Sequence, residues 1–490
     1  MNKYVLINEH DNVMVAIEDL KKGDVVNNIT LLDDVMMGHK IALKDILEKE
    51  DIIKYGYPMG HATSFIKKGS HVHTHNVDTN LSDILDYQYE PIFHSMDEAV
   101  KQKDVYLYER ENGEYGIRNE IYLIPTVGCI NGVVREMANA FNREFEKTPF
   151  FDGVLPILHP YGCSQMGDDL ENTKETLQNI SKHPNAGGVI VIGLGCENNR
   201  LKEFMDYDYN EKRIRFLNMQ DMFNEDEEVY QVLKELYEQM SHDKRVKRDL
   251  SYLKIGLKCG GSDAFSGISA NPLIGLLSDY IVKAGGTTVL TEVPEMFGAE
   301  TILMNRTKDK ETFEKLVGLI NAFKNYYKSH NQVIYDNPSP GNKDGGITTL
   351  EEKSLGCIEK GGQGKIVDVL DNTERLKKHG LNIISAPGND LVSVTTLAMS
   401  GSQMVLFSTG RGTPFGGFVP TLKISTNSHI AKRKPHWIDF DAGRLLTGTP
   451  FNVLLEELLE AVVKTANGEY VNNEINNAQE IAIFKDGVTL

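Results

Sequence analysis

The chain has little of several things, and each scarcity narrows its role. In 490 residues there is one tryptophan, five cysteines and a clear deficit of positive charge, with 52 Lys and Arg against 70 Asp and Glu. A formal charge of −18 argues against a nucleic-acid partner, because phosphate binding needs a basic face. An anionic substrate would have to be drawn in by local Arg and Lys against the global field. No stretch of about 18 apolar residues occurs, so no membrane span is expected. The start, Met1 to His10, turns polar too early for a signal-peptide core. Five widely spread cysteines suit reduced thiols in a cytoplasm better than a disulfide framework. Neither an internal repeat nor a low-complexity tract is visible.

What is present is a globular composition, 40% apolar and 25% charged, in a chain long enough for two or three domains. Short apolar stretches at Val13 to Ile17, His39 to Leu43 and Ile52 to Tyr55, punctuated by glycines, predict a small all-β domain over residues 1–75. Residues 76–104, polar and carrying Pro91, read as an extended linker. From Val105 onward, strand-length apolar runs alternate with amphipathic helical stretches. Ile121 to Val127 precedes a helix near Val133 to Phe145, Gly153 to Leu158 one near Asp169 to Ser181, and Ile214 to Leu217 one around Glu227 to Met240. Gly188 to Leu194, Leu253 to Leu257, Thr287 to Leu290, Ile383 to Ser385 and Met404 to Phe407 continue the strands. Such alternation predicts an α/β fold with a parallel, Rossmann-like sheet covered on both faces. The alternation never pauses, and the charged stretch Asp243 to Asp249 suggests dividing it into a middle α/β domain, 105–250, and a C-terminal one, 251–490.

The cysteines fall in one kind of place. Cys129, Cys163, Cys196 and Cys259 each follow the carboxyl end of a predicted strand with glycine alongside, and that edge is where open α/β sheets bind ligands. A lone cysteine reads more simply as a small buried hydrophobe. Four in one topological position suggest a gathered thiolate site for an iron–sulfur cluster or a ferrous ion. Cys357, after a helical stretch, reads as a packed thiol. Other polar groups share the edge: Asp263, Glu292, Arg411 and Thr413, with Asn389 and Asp390. Asp and Glu offer acid–base groups, and Arg411 a carboxylate clamp. Asn271-Pro272 has the form of an N-cap with proline at the first helical position. Asn337 to Lys343 is a rigid polar loop that places Asn342 beside Lys343. His71, His73 and His75 alternate, so an extended backbone would turn all three one way, toward a metal, an anion or solvent. Gly193-Leu194-Gly195-Cys196-Glu197-Asn198 imitates a dinucleotide fingerprint, but Asn198 stands where the third glycine belongs. Gly364-Lys365 is no phosphate loop, because Ile366 replaces the Ser or Thr that binds magnesium.

Together, Gly38 to Leu43, Lys54-Tyr55-Gly56, His73 to Asn76, Gly116-Ile117-Arg118-Asn119, Tyr161-Gly162-Cys163, Gly193 to Glu197, Cys259 to Asp263, Asn337 to Lys343 and Thr409 to Pro414 resemble the altronate and galactarate dehydratase family. His436 to Asp441 and the ending Ala482 to Leu490 lie nearest its altronate branch. The resemblance implies an SAF-type β-clip domain, a linker, a middle domain able to mediate a homodimer and a Rossmann-like C-terminal domain. It implies loss of water from D-altronate to give 2-dehydro-3-deoxy-D-gluconate, with ferrous iron or manganese required. On that basis Cys129, Cys163, Cys196, Cys259 and His73 are the expected metal ligands. Asp263 or Glu292 is the expected base and His75 the acid. Arg118, Asn119, Asn271, Asn342, Lys343, Arg411 and Thr413 are expected at the substrate. The competing readings are another sugar-acid dehydratase, a non-catalytic sugar-acid binding protein and an NAD-dependent oxidoreductase.

Overall fold

The structure is a computed structural model that describes residues 3–82, 84–96 and 98–490. Short antiparallel strands build the N-terminal part: Tyr4–Val5, Val13–Ala16, Lys40–Ala42 and His71–Val72 form one sheet, and Asp51–Lys54, Tyr57–Ala62 and Val77–Asp78 another. Because the strand Val77–Asp78 pairs with His61 and Ala62, the small domain runs a few residues past the expected boundary at 75. Val13, Ile46, Ile52, Met59 and Val72 fill one of its cores and Met14, Leu20, Ile41 and Val35 another. The extended backbone expected across the histidine run covers only His71–Val72, and residues 73–76 turn.

The middle part has two sheets. Val105–Glu109 lies between Tyr115–Gly116 and Arg245–Arg248, all antiparallel. A parallel sheet follows the order Val154–Pro156, Glu120–Pro125, Ala186–Gly193, Ile214–Asn218. Helices Asn131–Glu144 and Glu225–Met240 cover one face, packing Phe141, Val134, Leu233 and Leu236 against Ile121, Leu123, Ile190 and Ile192. Helix Asp168–Ser181 packs on the other face through Leu177 and Ile180. Buried on both sides, the strands carry continuous rather than alternating apolar sequence.

The C-terminal part is a seven-stranded parallel sheet. Its strands are β1 (Lys254–Cys259), β2 (Thr287–Leu290), β3 (Ile366–Leu370), β4 (Gly380–Ile384), β5 (Met404–Thr409), β6 (Thr421–Ser425) and β7 (Phe440–Asp441). Their spatial order is β3-β4-β2-β1-β5-β6-β7, so the winding reverses between β1 and β5. Helices α1 (Ala270–Lys283), α2 (Leu350–Ile358) and α3 (Asp390–Met399) are among those around this sheet. Leu273, Ile274, Leu277 and Ile281 of α1 pack against Ile255, Leu257, Leu290 and Leu406 in the largest core.

Candidate functional site

The reversal between β1 and β5 opens the crevice in which doubly wound sheets receive ligands. β1 delivers Lys258 and Cys259 there, and the turn after β2 delivers Glu292. That residue holds a left-handed backbone with φ 70°, a strained conformation tolerated where the surroundings enforce it. The last turn of α2 adds Cys357, and the short turn Glu359–Gly361 adds Lys360.

These side chains meet in a sealed group. Lys258 Nζ donates to Glu292 Oε1 at 2.5 Å and pairs with Asp390 at 2.9 Å. Lys360 Nζ lies 2.9 Å from Glu292 Oε2, 2.9 Å from Cys259 Sγ and 3.0 Å from Cys357 Sγ, and the two sulfurs are 3.8 Å apart. Lys353 joins Glu295 at 2.8 Å and reaches Asn337 and Asn342. Burial alone would raise the Glu292 carboxyl, but the ammoniums of Lys258 and Lys360 outweigh it and hold it down at about 2. The hydrogen bond with Cys357 lowers Cys259, with Lys360 helping against burial, while the same contact pushes Cys357 up. The contact therefore favours the proton on Cys357 over Cys259.

The small domain closes this crevice. Lys40 Nζ bonds Glu352 Oε2 at 2.9 Å and Gly346 O at 2.7 Å, and Lys54 Nζ bonds Glu352 Oε1 at 2.6 Å. All three side chains are at most 1% exposed, and Glu352 rides on α2 one and a half turns from Cys357. Gly38 (φ 87°) lets the chain approach so closely that an added Cβ would lie 3.0 Å from Gly345 O. His73 Nδ1 meets Thr348 Oγ1 at 2.9 Å, and His39 meets His71 ring to ring at 2.9 Å. Burial first, then the neighbouring cations and rings, push His71 down to about 4 and His73 to about 3, so both imidazoles are neutral at pH 7. Beneath the seam is a cavity of about 10 Å³ lined by Lys54, Tyr55, Cys259, Asp263, Lys353 and Cys357, room for about one water.

Several expected residues have other employment. Arg118 is wholly buried and grips Glu474 through two bonds of 2.6 and 2.8 Å plus the carbonyls of Ile117, Thr465 and Glu469. It joins the middle and C-terminal parts and is no substrate clamp. Asn119 binds Phe150 O, Asp243 and Arg110 in the same seam. Asn271 is not the N-cap of α1, which is Ser269; its side chain ties Gly356 O to the Ser408 hydroxyl. Asn342 closes a capping box with Ser339 and donates to Ser262 O. Glu292, locked between two lysines, is a poor general base. Asp263 is raised by burial, against hydrogen bonds from Thr426, Asn427, the Phe265 N–H and Ser266, and both of its oxygens are engaged in holding the loop. Lys343 is half-buried in the short helix Pro340–Asp344, where a loop was expected, and Arg411 is exposed on the loop after β5, with Thr413 accepting from Phe415 N. His75 is exposed, its ring 5.1 Å from that of His71. Lys258, Lys353, Lys360 and Glu352 were missed, because each sits inside an apolar or helical stretch where spacing says nothing of the partner.

The four expected thiols do not share an edge. Cys259 belongs to the seven-stranded sheet, with Cys357 as its neighbour rather than a remote packed thiol. Cys129, Cys163 and Cys196 follow Glu120–Pro125, Val154–Pro156 and Ala186–Gly193 of the middle sheet. The imitation fingerprint is closed there, since the Glu197 carboxylate takes the N–H groups of Leu194 and Gly195 that a phosphate would need.

A metal has donors to meet in the C-terminal group. Cys259, Glu292, Glu295 and Cys357 bring ligand atoms within 4.8 Å of one another, all buried, and a mix of thiolate and carboxylate suits a transition metal. Yet Lys360 already places its ammonium against three of those atoms, so the group's negative charge is met by lysine. A metal would have to displace that ammonium.

Three family models cover the chain. "Altronate/galactarate dehydratase SAF domain" matches residues 2–80, "D-galactarate dehydratase/Altronate hydrolase, second domain" 107–242, and "D-galactarate/Altronate dehydratase, C-terminal" 250–489. The altronate dehydratase of Escherichia coli (strain K12) is 53% identical over 494 residues, all of both chains, and that of Bacillus subtilis (strain 168) 52% identical, again over all of both. The galactarate dehydratase (L-threo-forming) of E. coli is 32% identical over 94% of this chain and 90% of its own. A small β domain locked by Lys40 and Lys54 onto a seven-stranded sheet, with a parallel middle domain between them in sequence, thus has full-length counterparts, and the chain belongs to the altronate and galactarate dehydratase family.

Proposed function

We propose that the chain is a hydro-lyase converting D-altronate to 2-dehydro-3-deoxy-D-gluconate and water. The observation that carries this is identity of 53 and 52% to two altronate dehydratases over every residue of both chains, against 32% to a galactarate dehydratase. The reaction removes the C2 proton as H⁺ and the C3 hydroxyl as hydroxide, leaving an enol that tautomerises to the keto acid. No electrons enter or leave, so a nicotinamide has no part.

The proton beside a carboxylate is weakly acidic and hydroxide leaves poorly, so the reaction needs a base, an acid and charge stabilisation. The seam between the small domain and the seven-stranded sheet is the place we assign to it. His73, bonded through Nδ1 to Thr348, is neutral at pH 7 and would offer its Nε2 to the C2 proton, as a weak base while burial holds its proton affinity down. His75 beside His71 is the candidate acid for the departing hydroxide. Lys343 and Arg411 are the candidate carboxylate clamp. Iron, the metal the resemblance implies, would supply Lewis acidity when bound; the thiols are the soft donors available to hold it. We further read the chain as a cytoplasmic enzyme and a homodimer through its middle domain, the latter checked by sedimentation.

Purified protein kept anaerobic with ferrous iron should form a 2-keto-3-deoxy acid from altronate, followed by a keto-acid assay. Faster turnover of galactarate, or none of altronate, overturns the substrate.

A further inference from the structure

We propose that Cys129, Cys163 and Cys196 together bind an iron–sulfur cluster on the carboxyl edge of the middle sheet, leaving one iron without a thiolate. This goes beyond the proposed function, because the site lies on the middle sheet and not at the seam assigned to the reaction, and it does not rest on that function.

The topology brings the three together. The strand before Cys129, Glu120–Pro125, lies between the strand before Cys163 and the strand before Cys196, all three parallel. Their following loops therefore leave from one edge, and every pair of loops is tied. Gly128 N donates to Tyr161 O at 2.8 Å, Asn199 N to Gly162 O at 3.0 Å, and the Thr126 hydroxyl to Glu197 Oε1 at 2.7 Å. Asn199 Nδ2 reaches Thr126 O at 3.2 Å, and Ser164 N donates to Asn198 Oδ1 at 3.0 Å. Each bond lies within three residues of the cysteines whose loops it joins, so the triangle of bonds holds the three Cα atoms in fixed relation. The loops are also shaped at a cost. Gly162 (φ 101°) has no room for a Cβ against Thr126 O, and Ser164, next to Cys163, is held at φ 56°. Strain of this kind gathers at functional loops.

Two of the thiols are unpacked, and Cys163 only borders the core of the middle sheet. Cys129 and Cys196 are exposed and Cys163 is half-buried, although free cysteine ranks among the most buried residue types. Among the described residues no hydrogen bond or ion pair engages any of the three sulfurs, in contrast to Cys259 and Cys357 with Lys360. Ion pairing, which engages the other two, engages none of these, and packing does not account for Cys129 or Cys196.

The three thiols do not gather closely enough for a single ion as they stand. The ligand atoms of one ion crowd together, and among the described residues the one such group within 4.8 Å is that of Cys259, Glu292, Glu295 and Cys357. Cluster thiolates stand farther apart, because each binds a different iron and sulfides lie between. Binding replaces each S–H proton by an iron, releasing three protons, and two of the four irons enter as ferric ions supplied beside the ferrous ones, so the cubane reaches its 2+ core with no further electron transfer.

The test is anaerobic reconstitution of the full chain with ferrous and ferric iron and sulfide, then iron and acid-labile sulfide counts, visible absorbance and electron paramagnetic resonance after reduction. About four irons and four sulfides per chain are expected, the content of a cubane cluster. Cys129→Ser, Cys163→Ser and Cys196→Ser should each lose most of both, with an unchanged melt for the variants at the exposed Cys129 and Cys196. Cys259→Ser and Cys357→Ser should keep them. Iron without sulfide, loss in the Cys259 variant alone, or disulfide-linked dimers through these thiols with no iron bound would each overturn the proposal. A chain that carries the cluster but leaves altronate intact overturns the substrate reading instead, and iron-dependent turnover with no sulfide overturns the cluster.

Discussion

The contact that closes the crevice is a carboxylate shared by two lysines, and it makes a quantitative prediction. Glu352 is buried with Lys40 and Lys54, so Glu352→Gln leaves two buried ammoniums with no counter-charge. Removing one partner of a buried ion pair costs about 3–5 kcal/mol. At 1.4 kcal/mol per tenfold, that raises the undocked population of the small domain about a hundredfold to a few thousandfold. Burial would raise Glu352, but Lys40 and Lys54 outweigh it and hold it down from 4.5 to about 2, a displacement corresponding to about 3 kcal/mol. Because the folded value is depressed, this stabilisation is present above the ordinary carboxylate range and is lost as pH falls from about 4.5 toward 2. Two cations share one anion, so one charge is in excess. Burial and the neighbouring Lys54 leave it on Lys40, which falls to about 8 against the pull of Glu352. A base depressed in the folded state is relieved by losing its proton, so docking should tighten as pH rises from about 8 toward 10.5. The assay is limited proteolysis in the linker after residue 80, read beside kcat, with the exposed pair variant Glu50→Gln as control. Exposed pairs contribute about 0–1 kcal/mol, so the control should cleave like the parent. If Glu352→Gln cleaves no faster than that control and keeps full kcat, docking through this triad is wrong.

Arg118→Lys should lower stability by about 2–3 kcal/mol while leaving KM for altronate unchanged, because the fork is spent on Glu474 and three carbonyls; a raised KM with an unchanged melt would return Arg118 to the substrate. Lys360→Met should move the ultraviolet titration of the Cys259 thiol to higher pH, because the ammonium helps to lower it, and an unmoved midpoint would show that Cys357 alone sets it. His73→Gln should lower kcat by about 10²–10⁴, the usual worth of a positioned base, with the melt unchanged, whereas His10→Gln should change neither. Equal rates in the two variants would move the base elsewhere. The acidic limb of kcat should not reflect Glu292, which is ionised down to about 2.

Periodicity and punctuation in the sequence determined the layer order of this protein. The apolar runs at Thr287 to Leu290 and Met404 to Phe407 and the helix starts near Asp169 and Glu227 lie within a few residues of the observed elements, because strands buried on both faces and amphipathic helices write their environment locally. Runs such as Cys259 to Asp263 and Thr409 to Pro414 marked strand-end loops for the same reason. What the sequence could not decide was which strand ends meet. A thiol after a strand looks the same in either sheet, and only the spatial order separated Cys129, Cys163 and Cys196 from Cys259 and joined Cys259 to Cys357 across 98 positions. The buried lysines were equally silent: Lys40, Lys54, Lys258 and Lys360 find their carboxylates up to 312 residues away, and a long-range ion pair leaves no periodic trace. Arg118 and Glu292 carry the same lesson in reverse, since residue type nominated them for chemistry and tertiary contacts committed them to holding the fold.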